Sequence, residues 1–146
     1  MTTRKESSAA AAGEELPRTP RALRILVADD DRDTALTLVM ILRDEGHEVT
    51  AVHSGRNVLS TAIRTEPDVV IVDINMPDVS GWQVAQTIRA RQTKRPLLIG
   101  ISGVYKSGAD KALASVSGFD HYLVKPCATP DLLALLAPLT DPNARQ

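Results

Sequence analysis

One cysteine, Cys127, stands among the 146 residues. A lone thiol excludes an intrachain disulfide and a cysteine-built zinc centre, and it suits a reducing compartment. Aromatics are nearly as scarce, at one Phe, one Trp and two Tyr, so the core must be assembled from Leu, Ile, Val and Ala. An excess of either charge is missing too. Seventeen basic residues against eighteen acidic ones leave a formal charge of -1, which offers no global basic field for nucleic acid and no acidic disordered character. Long apolar runs are absent: Val69 to Val72 and Leu132 to Leu136 are far too short to cross a bilayer. Near the N-terminus only Ala9 to Ala12 is apolar, which is no h-region of a secretory signal. With 43% hydrophobic residues, the chain reads as one small cytoplasmic domain. Any chemistry falls to carboxylates, hydroxyls, amines or the three histidines.

Residues 1–22 read as a flexible tail of Ser, Ala, Thr, Glu and Arg broken by Pro17 and Pro20. Residues 23–140 read as the folded domain and 141–146 as a second, short tail. Within the domain, the runs Arg24 to Ala28, Glu48 to Val52, Asp68 to Asp73, Leu97 to Ile101 and His121 to Val124 are short and mostly apolar. Such runs suit parallel strands buried on both faces. Between them lie helical spacings, such as Leu132, Leu135, Leu136 and Leu139, or Ala109, Ala112, Leu113 and Val116. Thr129 before Pro130 reads as an N-cap, Ser80-Gly81-Trp82-Gln83 as a capping box, and Gly46 as a helix terminator. The pattern is β-α repeated five times, which predicts an α/β fold: a five-stranded parallel sheet with five covering helices. In such sheets ligands bind beyond the carboxyl ends of the strands.

The polar residues that follow these runs are Asp29-Asp30-Asp31, Asp73, Ser102 and Lys125-Pro126. Taken singly they are ordinary. An aspartate after a strand is most often a turn former or N-cap, and Asp31 suits the cap of a helix starting at Arg32. Taken together they bring an acid cluster, a hydroxyl and an amine to one sheet edge. Gathered carboxylates require a cation, and oxygen ligands of this kind select magnesium and phosphate chemistry. A hydroxyl and an ammonium can engage phosphoryl oxygens. No serine or cysteine has a partnered histidine, so the available nucleophile is a carboxylate and the product an acyl phosphate. His47, His53 and His121 show no metal spacing, and Trp82 reads as a partly exposed helix residue. Asp29, Asp31 and Asp33 have calcium-loop spacing, but Thr34 and Met40 stand where Gly and Glu would be required.

The segments Ile25 to Asp31, Asp73-Ile74-Asn75-Met76-Pro77-Asp78-Val79-Ser80-Gly81, Ile99 to Gly103 and Gly118 to Pro126 together resemble the receiver domain of two-component response regulators. The resemblance runs from about Arg24 to Leu139. It implies a flavodoxin-like doubly wound sheet of strand order 2-1-3-4-5. It implies that Asp73 accepts a phosphoryl group from a histidine kinase or histidine phosphotransfer protein. Asp30, Asp73 and the Asn75 carbonyl would hold Mg2+, with Asp29 acting through a coordinated water. Lys125 would pair with Asp73 and then with the phosphate. Ser102 would bond the phosphoryl group and draw in Tyr122, the switch aromatic. Met76, Pro77 and Gly81 would shape the acceptor loop, and the Lys125-Pro126 peptide would be cis. The protein would catalyse only its own phosphorylation and dephosphorylation.

Cys127 and Gly103 depart from the commonest form of the family; Cys127 reads as a small buried hydrophobe and Gly103 as a loosening of the switch loop. The end of the chain soon after the last predicted helix implies a stand-alone receiver, monomeric or dimerising on phosphorylation. Its output would be a protein contact through the predicted fourth helix, fifth strand and fifth helix, around Lys106, Lys111 and Tyr122, without direct contact to nucleic acid or membrane. Two rivals stand beside this reading. One is a degenerate receiver acting as an unphosphorylated interaction module. The other is an aspartate-nucleophile phosphatase, hinted at by Asp31-Arg32-Asp33-Thr34, but the chain has neither that family's glycine-threonine continuation nor room for a cap.

Overall fold

The computed structural model describes residues 20–91, 94–103 and 118–142. Its elements in order are β1 (Arg24–Ala28), α1 (Arg32–Asp44), β2 (Glu48–Val52), α2 (Arg56–Thr65), β3 (Val69–Asp73), α3 (Gly81–Arg91), β4 (Leu97–Ser102), β5 (His121–Val124) and α4 (Thr129–Thr140). All strand pairs are parallel, and the sheet order is β2-β1-β3-β4-β5. That is the order 2-1-3-4-5 that the resemblance implies. Four helices lie among the described residues; the further helix predicted around Ala109 to Val116, with Lys106 and Lys111, lies outside them.

Alternation along the central strands divides the core in two. Ile25, Val27, Val69, Ile71, Ile99 and Ile101 face α1 and α4, packing on Leu38, Leu42, Leu132 and Leu136. Leu26, Ala28, Val70, Val72 and Leu98 face α2 and α3, packing on Val58, Ala62, Val84 and Ile88. Leu26, Val27, Val70 and Leu98 are wholly buried; each Val or Leu side chain so buried contributes about 1.5–3 kcal/mol. The single Phe, Phe119, lies in the second core.

Helix boundaries follow local chemistry. Asp31 caps α1 through its side chain on the Asp33 amide. At the other end Gly46 N–H reaches Arg43 O and His47 N–H reaches Leu42 O, a Schellman closure that requires the left-handed backbone Gly46 adopts at φ 94°. Ser80 and Gln83 form the expected capping box ahead of α3: Gln83 N–H donates to Ser80 Oγ and Ser80 N–H to Gln83 Oε1. One expectation is corrected. The N-cap of α4 is Ala128, not Thr129, and no side chain caps it. Pro130 lies in the first turn, where its missing N–H is tolerated, and the helix begins one residue earlier than the cap reading allowed. At the N-terminal edge, Arg21 N–H donates to Thr140 O and its guanidinium reaches Asp68 at 3.1 Å.

Candidate functional site

The parallel register brings the ends of β1, β3 and β4 to one edge of the sheet, and the residues that follow them converge there. One carboxylate oxygen from each of Asp29, Asp30 and Asp73 lies within 4.8 Å of the others. Asp29 and Asp73 are buried, at 2% and 6% exposure, whereas Asp30 is open to solvent. Lys125, delivered by the end of β5, places its Nζ 3.0 Å from Asp29 Oδ2 and 3.3 Å from Asp73 Oδ2. Among the described residues, both buried carboxylates draw their salt bridges from this one ammonium.

The electrostatics follow from that count. Burial, with the Asp73 charge added, pushes the Asp29 carboxyl above its usual range, although the Asp31 amide and Lys125 act the other way. Burial works to lower the Lys125 ammonium, but its contacts with Asp29 and Asp73 outweigh that and hold it above the ordinary value. Three carboxylates with one ammonium leave negative charge in excess, and an all-oxygen donor set with one open carboxylate suits a hard divalent cation that keeps several waters. The residues present therefore fit magnesium.

The loop after β3 holds Asp73 in place. Asn75 N–H donates to Asp73 Oδ1 at 3.0 Å, and the Asn75 amide donates through Nδ2 to Ser102 Oγ at 3.0 Å. Ser102, at the end of β4, is 2% exposed. Met76 is buried in the second core and Pro77 is exposed. Gly81 passes so close to the loop that a Cβ there would stand 2.6 Å from Ile74 Cα. The Lys125-Pro126 peptide is cis. Tyr122 is half-buried on β5, its ring centroid 6.3 Å from that of Trp82, which also meets Phe119 edge-on at 5.8 Å. Cys127 is half-buried rather than fully so, and burial raises its thiol.

The structure thus gathers Asp29, Asp30, Asp73, Asn75, Ser102 and Lys125 at one edge. Sequence reasoning did not find three further contacts. His53 Nδ1 lies 3.1 Å from Asp29 O, in the loop that carries the acid pair. The Asn75 side chain engages Ser102, where only its backbone carbonyl had been singled out. Asp78 accepts from the Gly55 and Arg56 amides at 3.0 Å, capping α2 from a different loop. The only trace of this cap in the sequence is that Gly55, at the N-cap position, has no side chain to do it.

This geometry has relatives. The family model for the response regulator receiver domain matches residues 25–137. The chain belongs to that family. PrrA of Mycobacterium leprae, described as a transcriptional regulatory protein, is 38% identical over 112 residues, covering 76% of this chain and 47% of PrrA. TrcR of Mycobacterium tuberculosis, also a transcriptional regulatory protein, is 31% identical over 126 residues, covering 84% of this chain and 48% of TrcR. The chain thus spans about half the length of the curated relatives it matches. Among solved structures, the chemotaxis protein CheY4 of Vibrio cholerae superposes with a TM-score of 0.74 at 28% identity, covering 80% of this chain and 97% of CheY4. A CheY-like receiver protein from Methanospirillum hungatei gives 0.73 at 26% identity over 83% of this chain and 95% of its own. Among the described residues no helix is long and apolar enough to cross a membrane.

Proposed function

We propose that this receiver domain accepts a phosphoryl group on Asp73 in a Mg2+-dependent reaction and thereby switches a surface that other proteins read. The observation that carries the reading is the shared ammonium: buried Asp73 lies against Lys125, which also serves Asp29, with Asn75 linking Asp73 to Ser102. The donor is a phosphohistidine on a histidine kinase or phosphotransfer protein. An Asp73 carboxylate oxygen attacks phosphorus, the P–N bond breaks, the histidine nitrogen keeps the electron pair, and an acyl phosphate forms.

Such transfer asks the protein for positioning and charge neutralisation more than covalent work. Asp29, Asp30, Asp73 and the Asn75 carbonyl would hold Mg2+, which would supply charge neutralisation for the phosphoryl oxygens. Lys125 contributes the second positive charge, its Nζ 3.3 Å from Asp73 Oδ2. The product group is nearly dianionic, replacing one negative charge by almost two. Ser102 donates its hydroxyl to that group, and Tyr122 follows the movement. The domain turns over no other substrate, and we place it in the cytoplasm, a reducing compartment that its lone thiol suits.

The test is incubation with acetyl phosphate and Mg2+, followed by intact mass measurement. One added phosphoryl group is expected, absent from Asp73→Ala and without Mg2+. A native chain that no small donor or phosphorylated kinase modifies would overturn the reading and favour an unphosphorylated interaction module. Turnover of unrelated phosphate esters would favour the phosphatase.

A further inference from the structure

Asn75 hydrogen-bonds both to the Asp73 carboxylate and to the hydroxyl of Ser102. Its backbone N–H donates to Asp73 Oδ1 and its side-chain amide to Ser102 Oγ, each at 3.0 Å. The two acceptors are buried, whereas Asn75 itself is exposed. An exposed amide thus holds a buried hydroxyl on the neighbouring strand end. Its backbone bond is fixed by the turn after β3, but the side-chain bond is not required for that turn.

We propose that the Asn75 side chain is a resting-state latch on Ser102, one that holds the hydroxyl in place until a phosphoryl group on Asp73 draws it away. The inference rests on the phosphoacceptor reading and concerns only the side chain, not the backbone carbonyl proposed to face Mg2+. The competition has a definite direction. Ser102 Oγ offers a lone pair to the Asn75 amide and its proton to a phosphoryl oxygen, so the two bonds compete for the position of the oxygen rather than for one bonding capacity. The first joins two neutral groups, whereas the second is charge-assisted and about twice as strong. The phosphorylated state therefore wins, but the latch sets how much of its binding energy is spent on release. A net neutral hydrogen bond of about 0.5–1.5 kcal/mol corresponds to roughly two- to twelve-fold in the switching equilibrium. Asn75 is then a positioning residue: it acts through Ser102 and sets the threshold of the response.

The experiment uses beryllofluoride, which occupies an aspartate carboxylate as a phosphoryl group does. It is titrated calorimetrically at saturating Mg2+ into the native chain, Asn75→Ala, Ser102→Ala and the double variant. Asn75→Ala is expected to bind about two- to twelve-fold more tightly than native, and the same substitution is expected to change nothing when Ser102 is already Ala. A loop or metal effect of Asn75 would persist in the Ser102→Ala background, so an equal change there overturns the latch. Unchanged or weaker binding by Asn75→Ala overturns it as well. In the metal-free chain, the Asn75 side-chain amide protons are expected to shift in the NMR spectrum on Ser102→Ala, and unmoved resonances count against the contact. A native chain that takes up no beryllofluoride overturns the phosphoacceptor reading and the latch together. Native binding without the predicted coupling overturns the latch alone.

Discussion

Lys125 Nζ lies 3.0 Å from Asp29 and 3.3 Å from Asp73, so one ammonium is shared by two buried carboxylates. Removing it leaves both without their salt bridge in a site that already carries excess negative charge. Loss of the partner of a fully buried charge costs about 3–5 kcal/mol; here Lys125 is 24% exposed and Asp30 opens the cluster to water, so about 1–3 kcal/mol is expected. Lys125→Met should therefore lower the urea midpoint in EDTA. Added Mg2+ should restore more stability to the variant than to the native chain, because the cation replaces the missing charge. Equal losses with and without Mg2+ would contradict the shared-charge account.

Asp78 and Gly55 make a second testable pair. The Asp78 carboxylate takes the amides of Gly55 and Arg56, and those backbone bonds hold its carboxyl below the usual range. Asp78→Ala should lower the melting temperature, as loss of a helix cap does. Gly55 has φ -62° and ψ -30°, a conformation any residue adopts, so Gly55→Ala would ordinarily stabilise by about 0.4–1 kcal/mol. Here the added Cβ would stand 2.6 Å from Val79 O and 2.8 Å from Val79 Cβ. Backbone cannot yield cheaply, so the sign reverses and the melting temperature should fall. A rise in Tm would show that the two loops part without cost.

How much of this was legible in the sequence depends on whether the signal is local. The run from Val69 to Asp73 has every residue buried, and its apolar continuity alone marks a central strand. Asp31 and Gly46 are readable because a cap or a terminator acts within a few residues of itself. The acid cluster, Ser102 and Lys125 are legible because a parallel sheet delivers successive strand ends to one edge. The Asp78 cap and the Asn75–Ser102 bond are different: they join positions 22–27 residues apart through side-chain direction, which no periodicity carries. The α4 cap was misread for a related reason, since Thr129 has the chemistry of an N-cap but the backbone turns one residue earlier.

His47 gives the fold a pH dependence away from the site. Its Nδ1 accepts from Leu23 N–H at 3.0 Å, which requires that nitrogen to be unprotonated. Burial pushes the imidazole below its ordinary 6.5, against the opposing charge of Glu45. The folded chain thus holds fewer protons than the unfolded chain between the two values, and stability rises with pH there. The contribution is complete above 6.5 and is lost as pH falls through the depressed folded value. Thermal melts from pH 7.5 to 5 should show the native chain losing more stability than His47→Asn, which keeps an acceptor without titrating in this range. Parallel curves would remove His47 from the account. Asp68 titrates in a separate window. Burial works to raise its carboxyl, but Lys94, the Arg24 amide and Arg21 outweigh this and hold it low, so its contribution is lost only below about 3.8.

Trp82 is the only tryptophan, and it stands beside the residue proposed to move. Its ring meets Phe119 edge-on at 5.8 Å and Tyr122 at 6.3 Å. A Tyr122 side chain that turns inward on phosphorylation leaves one side of the indole with a new neighbour or with water, and either alters its emission. Beryllofluoride with Mg2+ should therefore shift or quench Trp82 fluorescence in the native chain. In Tyr122→Ala the change should fall by at least about half, because Phe119 remains in the core and only the moving partner is gone. Asp73→Ala should abolish it. If Tyr122→Ala keeps the full response, the emission reports the metal or the loop after β3 rather than the aromatic, and Tyr122 is not the part of the switch that α3 senses.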